Sequence, residues 1–128
     1  MVKQIELKKV LVADDSPNIR SLLIEVVTAE VTNGINVDFI EADNGAEALK
    51  LYKQEGPFDL VLSDGQMSEM DGIELAKAIF EENVNQPLVI ISGHVTTLEK
   101  AAAANICHIR KPYKIPNLMA EIIKALGA

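Results

Sequence analysis

Short apolar runs alternate with amphipathic stretches along the 128-residue chain, and this alternation restricts the folds available to it. The runs are too short for helices and lie at residues 9–13, 37–42, 58–64, 88–91 and 106–109. In the stretches between and after them, apolar residues recur at spacings of three and four, as on one face of a helix. We therefore predict an α/β fold in which a five-stranded parallel sheet is covered by helices on both faces.

The boundaries of these segments carry turn and capping residues. Ser16-Pro17 combines an N-cap serine with a proline at the first helical position, and Asp71 is placed to cap the third helix. Gly56-Pro57 marks the turn before the third strand. No linker, repeat or low-complexity segment interrupts the pattern, so residues 1–128 are predicted to form a single domain with no second domain attached.

Composition excludes several functional classes. The formal net charge is −7, and no basic cluster is larger than a pair such as Arg110-Lys111, which argues against nucleic-acid binding. No apolar run reaches the length of a membrane span, and the first residues lack the features of a signal peptide. The single Cys107 excludes an internal disulfide and fits a reducing cytoplasm, and we expect it to be a buried, inert thiol.

Charged and hydroxyl residues stand where the predicted strands end. Asp14 and Asp15 follow the first strand, Asp64 ends the third, Ser92 ends the fourth, and Lys111 follows the fifth. The carboxyl ends of parallel strands meet at one edge of the sheet, where ligands bind in open α/β folds. These five side chains are therefore expected to line one crevice, with Asp64 at its centre.

The chemistry of this set indicates phosphoryl transfer. Three crowded carboxylates repel one another, so their pKa values should rise unless a cation intervenes. Oxygen ligands suit Mg²⁺, which in proteins usually binds few carboxylates together with a phosphate. A remaining aspartate is able to accept a phosphoryl group, a reaction that requires mainly positioning and charge neutralisation.

Five short motifs together resemble the receiver domain of response regulators in two-component signalling, in the stand-alone form found in chemotaxis regulators. They are LVADDS (11–16), ADNGAEAL (42–49), residues 59–72, IISG (90–93) and KPY (111–113). Each motif alone is weak, but all five occur in register, one after each predicted strand. The resemblance covers nearly the whole chain and implies a flavodoxin-like, doubly wound sheet with strand order 2-1-3-4-5 and five helices.

The resemblance also implies a role for each residue of the crevice. Asp64 is expected to be the phosphoacceptor, and Ser92 and Lys111 are expected to bind the phosphoryl group. The expected Mg²⁺ ligands are Asp14, Asp15, Asp64 and the backbone carbonyl of Gln66. The Lys111-Pro112 bond is expected to be cis, because Lys111 must turn back into the crevice.

The implied function is that of a stoichiometric phosphoacceptor, which is not an enzyme but promotes its own phosphorylation and dephosphorylation. The phosphoryl group would come from a phosphohistidine on a sensor histidine kinase or a histidine phosphotransfer protein. A downstream protein, rather than nucleic acid or a membrane, would then bind the face made by the fourth helix, fifth strand and fifth helix.

The chain departs from the family pattern in three places. Ser68 stands where proline is usual, and His108 stands where the family most often has Tyr or Phe, so the usual aromatic switch is not assured. The fourth helix, read over residues 96–104, offers only Leu98 and alanines for anchoring. We expect this helix to be the easiest to rearrange, and His108 is a possible switch position.

Three other interpretations remain open. An aspartyl-nucleophile phosphatase also places an Asp after a buried strand, but it needs a second acid where this chain has Gln66. A flavodoxin-like flavin binder needs a phosphate cradle after the first strand, where Asp14 and Asp15 would repel phosphate. A receiver that works as a phosphorylation-independent interaction module would keep the fold without using the site.

Overall fold

Five strands and five helices alternate along the chain in the computed structural model, which describes residues 6–30 and 35–126. The strands are β1 (Glu6–Ala13), β2 (Ile35–Ala42), β3 (Leu60–Asp64), β4 (Leu88–Ser92) and β5 (Cys107–Arg110). The helices are α1 (Pro17–Glu30), α2 (Gly45–Glu55), α3 (Gly72–Glu82), α4 (Val95–Ala103) and α5 (Ile115–Leu126). Over the described ranges, no helix combines the length and the apolar character needed to cross a membrane.

All strand pairs are parallel, and the sheet has the order β2-β1-β3-β4-β5. The predicted fold class and strand order are thus confirmed. The order reverses beside β1, which pairs with β2 on one side and with β3 on the other. This reversal opens a crevice at the carboxyl ends of β1 and β3, the ends that carry the acidic residues.

The sheet separates two hydrophobic clusters, because successive side chains of a strand point to opposite faces. One cluster joins alternate strand residues to α2, α3 and α4, and includes Leu11, Val61, Leu75, Ile79 and Ile90. The other joins the intervening residues to α1 and α5, and includes Val12, Leu62, Ile91, Leu118 and Ile122. A sheet covered on both faces is rigid, so side chains at its carboxyl edge are held in fixed positions.

Capping interactions fix the starts of the helices near that edge. The Ser16 hydroxyl accepts a hydrogen bond from the Ile19 amide at 3.3 Å, as expected for the N-cap of α1. Asp71 and Glu74 form a reciprocal capping box at the start of α3. Both predicted caps are therefore confirmed.

Several local expectations were wrong. Strand β1 begins at Glu6 rather than at residue 9, because β2 pairs with it over eight residues. Helix α4 is anchored by the buried Thr97 and Ala101, whereas Leu98 is only half-buried. Cys107 is exposed, because β5 is an edge strand that buries only Ile109. The turn expected at residues 33–34 lies outside the described residues.

The surroundings of Cys107 nevertheless disfavour its thiolate form. Its thiol donates a hydrogen bond to the Glu121 carboxylate at 3.3 Å. Partial burial of the sulfur, together with this hydrogen bond and the negative charge of Glu121, raises the pKa of Cys107 to about 11. The expectation of an inert thiol is supported, but for a different reason from the burial that the sequence suggested.

A hydrogen-bonded cluster closes the opposite, amino edge of the sheet. The side chain of Gln86, only 4% exposed, accepts from the Tyr52 hydroxyl at 2.7 Å. Its amide donates to the carbonyl oxygens of Phe58 at 3.2 Å and Pro87 at 3.0 Å. Gln86 thus ties α2 to the segments that enter β3 and β4.

Replacing Gln86 should therefore destabilise the fold without touching the crevice. Gln86→Ala removes three hydrogen bonds and takes the side-chain donor from the buried Phe58 carbonyl, and a buried group left unsatisfied costs about 1–3 kcal/mol. The Pro87 carbonyl keeps the Val61 amide as a donor, and the Tyr52 hydroxyl keeps Asn83 as a partner. Water entering the space would reduce the total, so we expect a loss of that order in the free energy of unfolding, measured by urea denaturation. The exposed Asn85→Ala is the matched control, and equal midpoints for the two variants would contradict this role.

Candidate functional site

The carboxyl ends of the strands enclose an open cleft of about 530 Å³. Its lining residues come from the ends of β1, β3, β4 and β5 and from the loops that follow them: Asp15, Asp64, Gln66, Met67, Gly93, His94 and Lys111. The cleft lies where the sheet order reverses and extends toward β5, as the sequence predicted for this edge.

Three carboxylates meet at this cleft: Asp15 and Asp64 line it, whereas Asp14 lies buried beside them and not in the lining. Asp14, Asp15 and Asp64 each offer an oxygen, and these oxygens lie within 4.8 Å of one another. Asp14 is buried, Asp64 is half-buried, and Asp15 is exposed. Because the group is open to solvent on the Asp15 side, it is accessible to an ion or to a phosphorylated partner.

Asp14 is electrostatically strained in this position. Burial raises its pKa above the ordinary value of 3.8, and the charges of Asp64 and Asp15 raise it further. The Ser16 amide, which donates to the Asp14 carboxylate at 2.9 Å, and the charge of Lys111 lower the pKa but do not cancel the rise. A cation bound among these carboxylates would relieve the strain.

Lys111 brings a positive charge to the same cleft. Its ammonium nitrogen lies 3.6 Å from the Asp64 carboxylate, too far for a short hydrogen bond but close enough for an ion pair. The Lys111 amide donates to the Ser92 carbonyl at 2.9 Å, which fixes the chain where β5 ends. The Lys111-Pro112 bond is cis, as predicted.

Two glycines allow the loop after Asp64 to pack closely. A Cβ on Gly65 would lie 2.6 Å from the Thr97 methyl group and 2.9 Å from the Ser92 hydroxyl. A Cβ on Gly72 would lie 2.3 Å from the Asp64 carbonyl oxygen. The backbone next to Asp64 is therefore in direct contact with β4 and α4, a contact that only glycine permits.

Ser92 lies beside the cleft rather than in its lining. It is fully buried behind Gly65, and its hydroxyl oxygen accepts a hydrogen bond from the His94 amide at 3.1 Å. The hydroxyl proton is still available to a new acceptor. Gln66, by contrast, lines the cleft as expected.

His108 lies away from the carboxylates. It is exposed on β5, in register with Ile90, two positions before the level of Ser92. One ring nitrogen is 2.8 Å from the carbonyl oxygen of Ile106. The ring therefore shares the α4 side of the sheet with Ser92 but does not reach the cleft.

Comparison with known proteins assigns this geometry to a family. Residues 10–123 match the response regulator receiver domain. The chain belongs to that family. It is therefore a phosphoacceptor receiver of two-component signalling that interacts with kinases or phosphotransfer proteins, as the resemblance predicted.

Relatives of similar length support the assignment. The chemotaxis protein CheY of Halobacterium salinarum is 35% identical over 124 residues, covering 94% of this chain and 98% of the relative. Sporulation initiation phosphotransferase F of Bacillus subtilis is 31% identical, covering 93% of this chain and 94% of the relative.

A solved structure agrees with the fold as well. The response regulator protein TrrA of Thermotoga maritima, solved in complex with Mg²⁺-BeF, is 31% identical with a TM-score of 0.78. The alignment covers 93% of this receiver and 99% of that chain.

Sequence reasoning missed two residues of the site region. Thr97 packs its methyl group against Gly65, but a threonine in a weakly amphipathic helix gives no sequence signal for that contact. Arg20 donates to the Asp14 carbonyl and pairs with Glu41. The sequence does contain a signal for Arg20, because a positive charge in the first turn of a helix interacts unfavourably with the helix dipole and so calls for another explanation.

The raised pKa of Asp14 predicts that Asp14→Asn stabilises the metal-free receiver at neutral pH. An acid whose pKa is raised by folding disfavours the folded state once the pH exceeds its unfolded value, and the penalty is complete above the folded pKa. Asparagine removes this penalty and keeps an oxygen for the Ser16 amide. We expect a melting temperature several degrees higher at pH 7 in EDTA, with the difference shrinking as the pH falls toward 3.8.

Thermal unfolding between pH 7 and pH 4 measures this difference. Asp38→Asn removes an exposed carboxylate from β2 and serves as the charge-matched control. A difference that is absent at pH 7, or that grows in acid, would show that Asp14 is not strained.

Proposed function

We propose that Asp64 is the residue of this receiver that accepts the phosphoryl group. The observation that carries the proposal is the meeting of three carboxylates at one strand edge, with Lys111 3.6 Å from Asp64. Asp64 has the central place in the cleft, on the strand between β1 and β4. Asp14 is more deeply buried, and Asp15 is more exposed.

In the proposed reaction, a carboxylate oxygen of Asp64 attacks the phosphorus of a phosphohistidine. The P–N bond of the donor breaks as the new P–O bond forms, and the imidazole leaves and takes up a proton from solvent. Lys111, whose ammonium lies 3.6 Å from Asp64, would bind an oxygen of the incoming group. Ser92, which is buried behind Gly65 in this structure, would donate its hydroxyl proton to another oxygen once it is uncovered. Their role is to position the group and stabilise its charge.

The acidic cluster suits Mg²⁺ in the proposed site. Asp14, Asp15, Asp64 and the backbone carbonyl of Gln66 would hold it. Burial, and to a lesser extent the charges of Asp64 and Asp15, raise the pKa of Asp14, and a bound cation would offset this cost of the ionised form. All of these donors are oxygens, the ligand type that Mg²⁺ prefers. When bound, the ion would neutralise the carboxylates and the phosphoryl oxygens.

We propose further that the receiver is a stoichiometric phosphoacceptor which promotes both its own phosphorylation and its own dephosphorylation. The cleft is open, so water has access to a phosphorylated Asp64. The same groups that stabilise the transferring phosphoryl group would stabilise its loss to water. Residues 1–128 are proposed to act as a single domain in the cytoplasm.

Asp64 should therefore carry the phosphate. With acetyl phosphate and Mg²⁺, the wild-type receiver is expected to gain the mass of one phosphoryl group, whereas Asp64→Asn gains none because its amide is not a nucleophile. Intact-mass spectrometry measures the gain. Asp43→Asn, which changes an exposed aspartate at the same sheet edge, should behave as wild type, and equal phosphate gain in Asp64→Asn would refute the assignment.

The proposed output surface is the α4–β5–α5 face, defined as the outer surface of those three elements. Helix α4 buries only Thr97 and Ala101 and has no side-chain N-cap, so few contacts hold it in place. Helix α5 buries four apolar residues and is anchored more firmly. Val95 and Ile115 expose apolar side chains on this face, and a protein partner could cover them.

The energetics favour a partial shift of the population toward a rearranged position of helix α4, which partner binding would complete. Moving a population from 1:99 to 99:1 requires about 5.5 kcal/mol of differential binding. A neutral hydrogen bond to Ser92 and a charged one to Lys111 together supply roughly 2–4.5 kcal/mol. Phosphorylation would therefore bias helix α4 without fully converting it, and partner binding would supply the remainder.

Backbone NMR of the Mg²⁺-bound receiver, with and without beryllofluoride, tests this surface. Because Gly65 contacts both Ser92 and Thr97, we expect shift changes at residues 14–16 and 64–68 to extend through residues 95–110. Asp64→Asn treated in the same way should show neither set. Changes that stop at the cleft loops would exclude the α4–β5–α5 face as the output surface.

A further inference from the structure

We propose that Arg20, held by Glu41, is a positioning residue for cation binding. It would fix the Asp14-Asp15 corner, by which we mean the backbone turn at Asp14 and Asp15 between β1 and α1. The inference rests on the proposed role of that corner in holding Mg²⁺. Arg20 joins three elements, because it lies on α1, pairs with β2 and donates to the end of β1.

The contacts of Arg20 are made by two different nitrogens of its guanidinium. Nη1 donates to the backbone carbonyl oxygen of Asp14 at 2.5 Å, and Nε donates to a Glu41 carboxylate oxygen at 3.1 Å. The Arg20 side chain is only 14% exposed, whereas that of Glu41 is 47% exposed. A planar, mostly buried fork with two directed bonds holds its acceptors in a fixed orientation, which a single ammonium does not.

The backbone of Asp14 shows why this bond is needed. The Asp14 amide still donates to the sheet, to the Ala42 carbonyl at 3.1 Å. The β1–β2 register ends with Ala13 paired to Ala42, after which β2 turns into α2. The Asp14 carbonyl thus lies beyond the ladder, and Arg20 provides a donor for it.

The location of Arg20 is otherwise unfavourable. It lies in the first turn of α1, where the helix dipole disfavours a positive charge. Its side chain leans toward the helix N-terminus, which is the direction of Asp14. Helix stability therefore does not explain an arginine here, whereas the fixing of the Asp14 carbonyl does.

Fixing that carbonyl sets the direction of the next side chain. The peptide plane between Asp14 and Asp15 contains the bonded carbonyl, so its rotation would swing the exposed Asp15 carboxylate away from Asp64. On the other side of the corner, the Ser16 amide holds the Asp14 carboxylate. The groups behind metal ligands commonly change metal affinity by 10–100-fold when they are removed.

The direction in which Mg²⁺ affinity changes distinguishes a positioning role of Arg20 from a purely electrostatic one. Removing a cation close to the acidic cluster should strengthen Mg²⁺ binding if Arg20 acts only through its charge. If it positions the corner, Arg20→Met should weaken Mg²⁺ binding, by about tenfold or more. Arg20→Lys keeps the charge but not the two-nitrogen fork, so we expect it to bind nearly as weakly as Arg20→Met.

The experiment is a titration of the full chain with MgCl₂, followed by backbone NMR at residues 13–16 and 64–66. Lys50→Met is the matched control, because Lys50 and Arg20 both act on the charge of Glu47 and Lys50 is exposed on α2. It should bind Mg²⁺ as tightly as wild type or more tightly. Glu41→Gln keeps an oxygen for Nε and should stay within about twofold of wild type, while Glu41→Ala should weaken binding.

A second readout needs no metal. In EDTA, amide hydrogen exchange at Asp14 and Ser16 should be faster in Arg20→Met than in wild type or Lys50→Met, because the corner has lost its fixed carbonyl. If Arg20→Met does not fold, Arg20→Lys and Glu41→Ala provide the same comparison.

The outcomes for the two proposals are distinct. Absence of Mg²⁺-induced shifts at the corner in wild type, or unchanged affinity in Asp15→Asn, would refute the proposed metal site, and the exchange readout would still test the positioning. Mg²⁺ binding in Arg20→Met or Arg20→Lys as tight as in wild type, with unchanged exchange, would overturn the role of Arg20 alone.

Discussion

Mutual repulsion among the carboxylates of Asp14, Asp15 and Asp64 is the constraint on which the rest of the structure depends. A flexible chain would relieve it by moving the acids apart. Their oxygens stay within 4.8 Å because the backbone beneath them is held in place and because Lys111 and the Ser16 amide offset part of the negative charge. That rigidity comes from a sheet buried on both faces and from caps that fix the adjoining helices. The core therefore keeps the acids in an arrangement that a cation or a phosphoryl group can use.

Most of the fold was predictable because its periodicities are local. Apolar runs of strand length, helical spacing and capping residues such as Ser16 and Asp71 gave the elements and their order. The five strand-end residues were found because a parallel sheet brings its carboxyl ends together without any knowledge of side-chain contacts. Strand lengths were less accurate, since the start of β1 depends on how far β2 continues beside it.

The failures involve contacts between residues far apart in sequence. Cys107 looked buried from its apolar neighbours, but its position on an edge strand and its contact with Glu121 follow only from the docked α5. Gln86 makes three side-chain hydrogen bonds, one of them with a residue 34 positions away, and no local pattern encodes that contact. Ser92 was expected in the cleft, yet its place behind Gly65 depends on the close approach of two loops.

That close approach links Asp64, the proposed acceptor, to the weakly anchored helix α4. Gly65 follows Asp64 directly, and its α-carbon faces both the Ser92 hydroxyl and the Thr97 methyl group. Thr97 is in turn one of only two buried residues of α4. A movement of the Asp64 loop or of Ser92 therefore acts on a principal anchor of a weakly held helix. No long chain of contacts is needed, because Asp64, the Ser92 hydroxyl and helix α4 meet at one glycine.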